Sequence, residues 1–462
     1  MTNFFYLIKV FHKLLKYNCL FVLNSFFGVR IVKIFYFPYR IIYRKLPLGE
    51  RLKKTLEELG PSYIKIGQVL SVRSDILGEE VSNILSELQD SVPPFSFQIA
   101  KGIIEKNLGK KLEELFLEFQ EKPIASASIA QVHFARDFDG NKLAVKVLRP
   151  NIAKIFARDL KFLYFLNKLA KRINKKQDYK KVLDDIKNVI KREINLNFEA
   201  ASADKLRENL KKETYIKIPK VYWNKTTNEV LALEFVDGVS IKTLDKNNAE
   251  RVEAVLKKLS SLLFLQAFRD GYYHADLHPG NIHLDSQDNL ILFDFGVMGY
   301  LNEHNRQYLA QMWLGFLEKD YKKVAELHFK GGFVPENENI HAFETACRYV
   351  GEGILSNSMD SSGSRVILEM VKISKDFNLP VNPELMLLQK NMFYVEGIAK
   401  NLGYRGNFWG LSKNIMKNWA KENFSIKNRL KQRAEEFLDT STSLKELISL
   451  AKDYYLNKLK KH

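Results

Sequence analysis

The chain has 462 residues, 46% hydrophobic and 12% aromatic, which excludes an intrinsically disordered protein and leaves room for two or more structural units. Its net charge of +18 sits mainly at the ends: residues 1–49 hold eight Lys/Arg and no acid, and residues 405–462 hold 13 basic against 6 acidic residues. No helix-turn-helix pattern, zinc-finger spacing or RNA-binding signature accompanies that charge, and Cys19 and Cys347 are too few for a disulfide framework, so no nucleic-acid partner is expected.

In chain order, residues 1–48 mix Phe, Tyr and Leu with Lys and Arg. The longest charge-free piece, Tyr17 to Val29, is short and contains Asn18, Asn24 and Ser25, so neither a spanning helix nor a cleavable secretory signal is expected. The pattern describes a segment lying in an anionic membrane interface. The competing reading is a helix pair packed on the rest of the protein.

Residues 49–122 read as a helical extension. RLKKTLEELG places Leu52, Leu56 and Leu59 near one face with Gly60 as a stop. Further helices are expected over Ser62 to Leu77 and Gly78 to Leu88, then a break at SVPPF (Ser91 to Phe95) and two more helices before Pro123. Residues 123–236 change character. SIAQVHFARDFDGNKLAVKVL reads as two strands around an Asp139-Gly140 turn, 151–213 as helices interrupted by KRINKKQDYKK, and KIPKVYW and EVLALEFV as strands. Residues 237–403 are mostly helical, apart from a hairpin in NIHLDSQDNLILFDFG turning over Ser286 to Asn289, and 404–462 form a basic helical tail.

The chemistry concentrates in HADLHPGNIHLDSQDNLILFDFG, His274 to Gly296. Phosphoryl transfer needs a carboxylate near the attacking oxygen and oxygen ligands that hold magnesium on the phosphates. Kinases supply an Asp and an Asn five residues apart and then an Asp-Phe-Gly; here Asp276 and Asn281 have that spacing and Asp294-Phe295-Gly296 follows. Taken singly, these residues are ordinary turn formers. In order, and downstream of LAVKV with its strand lysine Lys146, they specify a kinase-like nucleotide site.

Lys146 needs an acidic partner, and NVIKREINLNFEAASADKLRENL, read as one helix, offers Glu193 and Glu199. Six residues apart on one helix, they do not share a point on its surface, so only one can pair squarely with Lys146. Backbone at Glu234 and Val236, with Leu233 behind, is placed to hold adenine. Two departures from protein kinases stand out. The loop before LAVKV has alanines and serines where a glycine-rich loop is expected, and no Ala-Pro-Glu follows Asp294-Phe295-Gly296 to dock a peptide.

With these residues in view, the chain from about Leu52 to about Asn401 resembles the UbiB-type atypical kinases, the ubiquinone-biosynthesis kinase-like (aarF-domain) proteins. GPSYIKIGQVLSVRSDIL resembles the family's Lys-x-Gly-Gln signature at Lys65, Gly67 and Gln68; PIASASIAQVHFA its alanine-rich loop; REINLNFEAA its Glu-x-Asp and Glu-Ala helix; and LPVNPELMLLQKNMFYVEGIAKNL its late helical stretch. The resemblance implies an α+β, bilobal protein-kinase-like fold with a helical N-terminal extension carrying the Lys-x-Gly-Gln motif and a mainly helical C-lobe. It implies ATP and magnesium as cofactors. Asp276 and Lys65 are the implied catalytic groups, and Asn281 and Asp294 the metal ligands. Nucleotide is expected against Ala125, Ser126, Ala127, Ser128, Ile129, Lys146, Glu199, Glu234 and Val236. Glu193 is the implied partner of Lys65, Glu199 that of Lys146, and Gln68 a structural residue. The family's Asp is replaced by Asn195, which keeps size and loses charge.

The expected function is that of an atypical kinase or ATPase supporting ubiquinone biosynthesis. It would sit peripherally at the cytoplasmic face of a bacterial-type inner membrane, near polyprenyl quinone precursors and other quinone-biosynthesis enzymes. Alanines in the nucleotide loop stiffen it relative to glycine, and the Lys-x-Gly-Gln segment is expected across the peptide site, so protein phosphorylation in trans is not expected. An aminoglycoside- or choline-type small-molecule kinase would also suit HADLHPGN but has no Lys-x-Gly-Gln segment. A third reading is a nucleotide- and lipid-binding scaffold without turnover.

Overall fold

Chain punctuation sets the first helices. Helix α1 covers Thr2–Lys16, α2 Leu48–Leu59, α3 Pro61–Ser71 and α4 Glu79–Ser86. Gly60, at φ 109°, ends α2, and Pro61 opens α3, where its missing N–H costs nothing. The computed structural model describes residues 2–19, 46–71, 77–88, 92–173, 178–355, 373, 376–377, 379, 383–406, 408–412 and 419. Most of the expected interface segment, the end of the helix expected to reach Leu77, and nearly all of the basic tail lie outside these residues. The described residues form two units: one within Met1–Leu244, Tyr272–Gly299 and Asn382–Ile398, the other within Asp245–Gly271, Tyr300–Val381 and Ala399–His462.

In the first unit, Val10 of α1 joins Leu56, Tyr63, Ile64, Val81, Leu85 and Leu88 in one core, with Tyr6 and Leu14 packed against it. The described part of the N-terminal segment is therefore seated on the helical extension. A buried carboxylate fixes it: Asp159 accepts from Tyr6 Oη at 2.7 Å, from Arg158 Nε at 2.8 Å and from the Ser62 hydroxyl. Gly67 lets α3 approach closely, since a Cβ there would lie 2.5 Å from Leu88 Cδ1 and 2.7 Å from Leu56 Cδ1.

Next come α5 (Phe97–Leu108), α6 (Leu112–Leu115) and strands β1 (Glu118–Phe119), β2 (Ala125–Ser126), β3 (Ala130–Arg136) and β4 (Lys142–Leu148). The β3–β4 hairpin pairs Ala130 with Leu148 through Arg136 with Lys142, around the expected Asp-Gly turn, where Gly140 takes φ 83°. Period-two alternation on β4 buries Leu143, Val145 and Val147 against the α5 core and turns Lys146 to the opposite face. Helices α7 (Ile152–Ile173), α8 (Lys180–Glu193) and α9 (Leu196–Asn209) fill the stretch expected to be helical. The single helix expected to carry both glutamates is in fact two. The chain breaks at Ile194 and Asn195, with Asn195 in an extended conformation and its side chain accepting from Asn197 N. Asn caps a helix as well as Asp does, so this substitution keeps the cap.

Strands β5 (Ile216–Lys217), β6 (Val230–Glu234) and β7 (Val239–Ser240) follow. KIPKVYW is strand only at its start and at an isolated bridge, Val221 to Leu233, because Pro219 cannot donate to a ladder. Strand β6 pairs with β4 and completes a five-stranded antiparallel sheet.

The second unit begins with α10 (Ala249–Phe264), and its chain then leaves for strands β8 (Tyr272–His274), β9 (Ile282–Leu284), β10 (Leu290–Leu292) and β11 (Met298–Tyr300). The β9–β10 hairpin turns over Asp285 to Asn289 and lies in a sheet ordered β5-β10-β9-β7. Helices α11 (Glu303–Leu317), α12 (Tyr321–Lys330) and α13 (Ile340–Leu355) return to the second unit and bury Phe316, Tyr321, Val324, Phe343 and Cys347. Helix α14 (Pro383–Asn401), through Ile398, packs in the first unit.

His328 in α12 packs among aromatic rings of the second unit. Its Nδ1–H donates to Val324 O at 2.8 Å, and its ring lies against Tyr308 and Phe343. Burial pushes its pKa down to about 4. A histidine held neutral in the folded state is protonated first in the unfolded chain. Stability present above about pH 6.5 should therefore drain away as pH falls toward 4, by roughly 3 kcal/mol. Thermal unfolding across that range should show this slope, and His328→Gln should flatten it. A wild-type unfolding temperature that does not move between pH 6.5 and 4 would refute the assignment.

Candidate active site

Strand β4 aims Lys146 at the first turn of α9. Its Nζ donates to both oxygens of Glu199, at 2.7 and 2.9 Å, and lies 3.5 Å from Asp294 Oδ1. Burial works against the Lys146 charge, but Asp294 and Glu199 outweigh it and hold the ammonium above its ordinary pKa. Asp294 is in turn pushed down to about 2, chiefly by the Lys146 ammonium. Asp294 has φ 56°, in the left-handed region that non-glycine residues rarely adopt, and its Oδ1 accepts from Gly296 N at 3.3 Å.

The break at Asn195 places the two glutamates on different helices. Glu193, at the end of α8, meets Lys65 of α3 at 3.0 Å, with both side chains largely buried. Gly67 and Gln68 of the same motif set the position of α3: the glycine allows close packing, and Gln68 Nε2 donates to Leu88 O at 3.1 Å. The charge of Lys65 is felt at Lys146, Asp294 and Lys390. The two lysine–glutamate pairs are those the resemblance implies.

Between β8 and β9, His274 Nδ1 accepts from Asp276 N, and His274 Nε2 meets Phe293 O. Asn281 Nδ2 donates to Asp276 O at 3.0 Å, leaving its Oδ1 as the free acceptor end of the amide. Among the described residues, no group of three or more His, Cys, Asp or Glu is gathered to bind a metal by itself. The oxygens of Asn281 and Asp294 suit magnesium nonetheless, because that ion takes one or two protein ligands and completes its shell with phosphate oxygens and water.

No local spacing points to what holds Asp276. Lys390 of α14 reaches Asp276 Oδ1 at 2.9 Å, and the buried Asn391 accepts from Leu277 N at 2.9 Å while donating to His274 O. These contacts span 114 to 117 positions, and no local spacing announces them.

The alanine-rich loop is a tight hairpin. Ala125 and Ser126 pair with Val132 and Gln131, Ala127 N donates to Ala130 O, Ser128 is buried, and Arg149 N donates to Ile129 O. The Arg149 side chain then staples the loop to the chain ahead of it: it donates to Ala127 O, Ser126 Oγ, Val92 O and Pro93 O, all within 3.1 Å. At the expected adenine edge, the Glu234 amide is already engaged by Lys220 O at 2.8 Å and its carboxylate by Lys217 at 3.0 Å. Val236 lies just beyond β6, and Leu233 is buried.

A strand lysine paired with a helix glutamate, an Asp/Asn loop and a strained Asp-Phe-Gly together define a protein-kinase-like phosphotransferase. The chain matches the ABC1 atypical kinase-like domain over residues 87–328 and the UbiB helical domain over residues 347–405. It is 36% identical over 400 residues to a probable protein kinase UbiB of Pseudomonas aeruginosa, covering 84% of this chain and 75% of the relative. It is 37% identical over 418 residues to a protein of the same description from Marinobacter nauticus, covering 87% and 76%. The chain belongs to the UbiB family of ABC1 atypical kinases. Its fold is shared by a solved complex of Rv3197 with erythromycin from Mycobacterium tuberculosis, with TM-score 0.57 and 24% identity over 78% of this chain and 93% of that one.

Glu199→Ala leaves the buried Lys146 ammonium with Asp294 alone and should cost roughly 3 kcal/mol in denaturant unfolding. Glu199→Gln should cost less, because an amide oxygen can still accept from Lys146. Equal stability of wild type and Glu199→Ala would show that the pair does not hold β4 to α9.

Proposed function

We propose that this chain is an atypical kinase or ATPase that binds Mg-ATP and supports ubiquinone biosynthesis at a membrane surface. The observation that carries the nucleotide reading is Lys146 Nζ held by Glu199 with Asp294 at 3.5 Å. An ammonium fixed between two carboxylates is poised for the α and β phosphates, and Asp294 is kept ionised for magnesium. When bound, magnesium would supply charge neutralisation on the phosphates. Asn281 and Asp294 are the residues that would hold it. Asp276 would receive the proton of the acceptor hydroxyl or water. The pinned alanine-rich loop and the buried Lys65–Glu193 pair favour a small acceptor or water over a protein substrate. Kinship to the UbiB proteins supports the link to quinone synthesis.

Asp294→Asn should abolish the thermal shift that Mg-ATP produces in the wild type while leaving the unliganded unfolding temperature within a few degrees. An undiminished shift would sink the metal assignment. Loss of quinone in cells lacking the gene, unrescued by Asp276→Asn, would tie turnover to the pathway.

Attachment is proposed at the cytoplasmic face of an inner membrane through the chain ends. No helix among the described residues is long and apolar enough to span a bilayer. On α1, Ile8 and Phe11 are solvent-exposed and one turn apart, on a face other than the one Val10 buries, and can enter a headgroup layer. The protein should float with anionic vesicles, less with neutral ones, and detach partly in high salt. Ile8→Asp with Phe11→Asp should weaken flotation without lowering Mg-ATP binding. Unchanged flotation would remove α1 from the anchor.

A further inference from the structure

We propose that Lys390, on α14, is a positioning residue for Asp276 in phosphoryl transfer, a role that rests on the phosphotransferase reading above. Phosphoryl transfer requires the proton acceptor to be held in place and kept from repelling an approaching polyphosphate. The segment His274 to Asn281 contains no lysine or arginine that could do this. His278, two residues beyond Asp276, has its Nδ1 taken up by Gly280 N at 3.1 Å. The cation arrives instead from 114 positions away: Lys390 Nζ binds Asp276 Oδ1 at 2.9 Å.

The contact is one of several from the same stretch of α14. Asn391, fully buried, grips the backbone on both sides of Asp276, accepting from Leu277 N and donating to His274 O. Tyr394, one turn further on, packs edge-on against the His278 ring at 5.5 Å and lies beside Lys390, whose Nζ is 5.2 Å from its ring centre. Thus α14 splints the whole loop, and the lysine is the one member of the splint that touches the reacting carboxylate. Half of that carboxylate is thereby fixed. Oδ2 is left to take the proton as the acceptor oxygen bonds to the γ-phosphorus, the bond from that phosphorus to the β–γ bridging oxygen breaks, and ADP departs with the bond pair. The Lys390 charge also offsets that of Asp276, so the phosphates approach a neutral pair instead of a lone anion.

The test is phosphate release from Mg-ATP by the full-length protein, with water as acceptor. Lys390→Met should lower kcat roughly 10- to 100-fold while KM for ATP changes less than about threefold, the scale expected from a misplaced catalytic group. Lys390→Arg should recover most of the rate, and Lys390→Gln, which keeps a donor, serves if the Met variant does not fold. A kcat equal to or above wild type in Lys390→Met would overturn the proposal and identify the ion pair as a latch that withholds Asp276. A rise in KM with kcat unchanged would also overturn it, making Lys390 a nucleotide-binding group. Wild type that shifts thermally with Mg-ATP but releases no phosphate would remove the positioning role while the nucleotide reading stands; no thermal shift at all would defeat that reading itself.

Discussion

A lysine ammonium removed from water must be met by carboxylates, and this protein is organised around meeting three of them. Lys146 is answered by Glu199 and Asp294, Lys65 by Glu193, and Lys390 by Asp276. Each pair joins elements far apart in sequence, and Lys65 is felt electrostatically at two of the other sites. The balance is local, so removing one partner leaves an uncompensated charge in poorly solvated surroundings. The helices that carry the partners, α3, α8, α9 and α14, are thereby constrained in position as well as in composition.

The same logic bears on how the proposed nucleotide loop can do without glycine. A glycine-rich loop takes its shape when it closes over phosphates. Here the shape is set beforehand, by a hairpin bonded to β3 and by a guanidinium bonded to four oxygens around it. Arg149 itself couples the loop to the chain just ahead of α5, where Val92 and Pro93 lie.

What could be read from the sequence was what local spacing encodes. The Asp139-Gly140 hairpin, the strand placement of Lys146 and the order Asp276, Asn281, Asp294 depend on neighbours a few residues away. The partners of Lys65 and Lys146 could not be separated on those terms. A single helix through Glu193 and Glu199 left the choice open, and the break that decides it turns on one capping asparagine. Resemblance to a family, more than periodicity, pointed to the right pairs. Lys390, Asn391, Arg149 and Asp159 were illegible, because each is an ordinary residue whose partners are brought to it only by the folded chain. Of the N-terminal segment, composition describes a membrane surface, whereas residues 2–19 also have a core to join.

The bond between Tyr6 and Asp159 has a bearing on how the chain is made. The two residues are 153 positions apart. At ordinary translation speeds that interval is roughly 8 to 30 s. The apolar partners of α1, on and around α2 to α4, precede α7 in the chain, so its apolar stripe can be covered well before Asp159 is supplied. Until then Tyr6 Oη has Tyr63 Oη to meet but not the Asp159 carboxylate. The apolar seat of α1 can therefore form well before its polar lock.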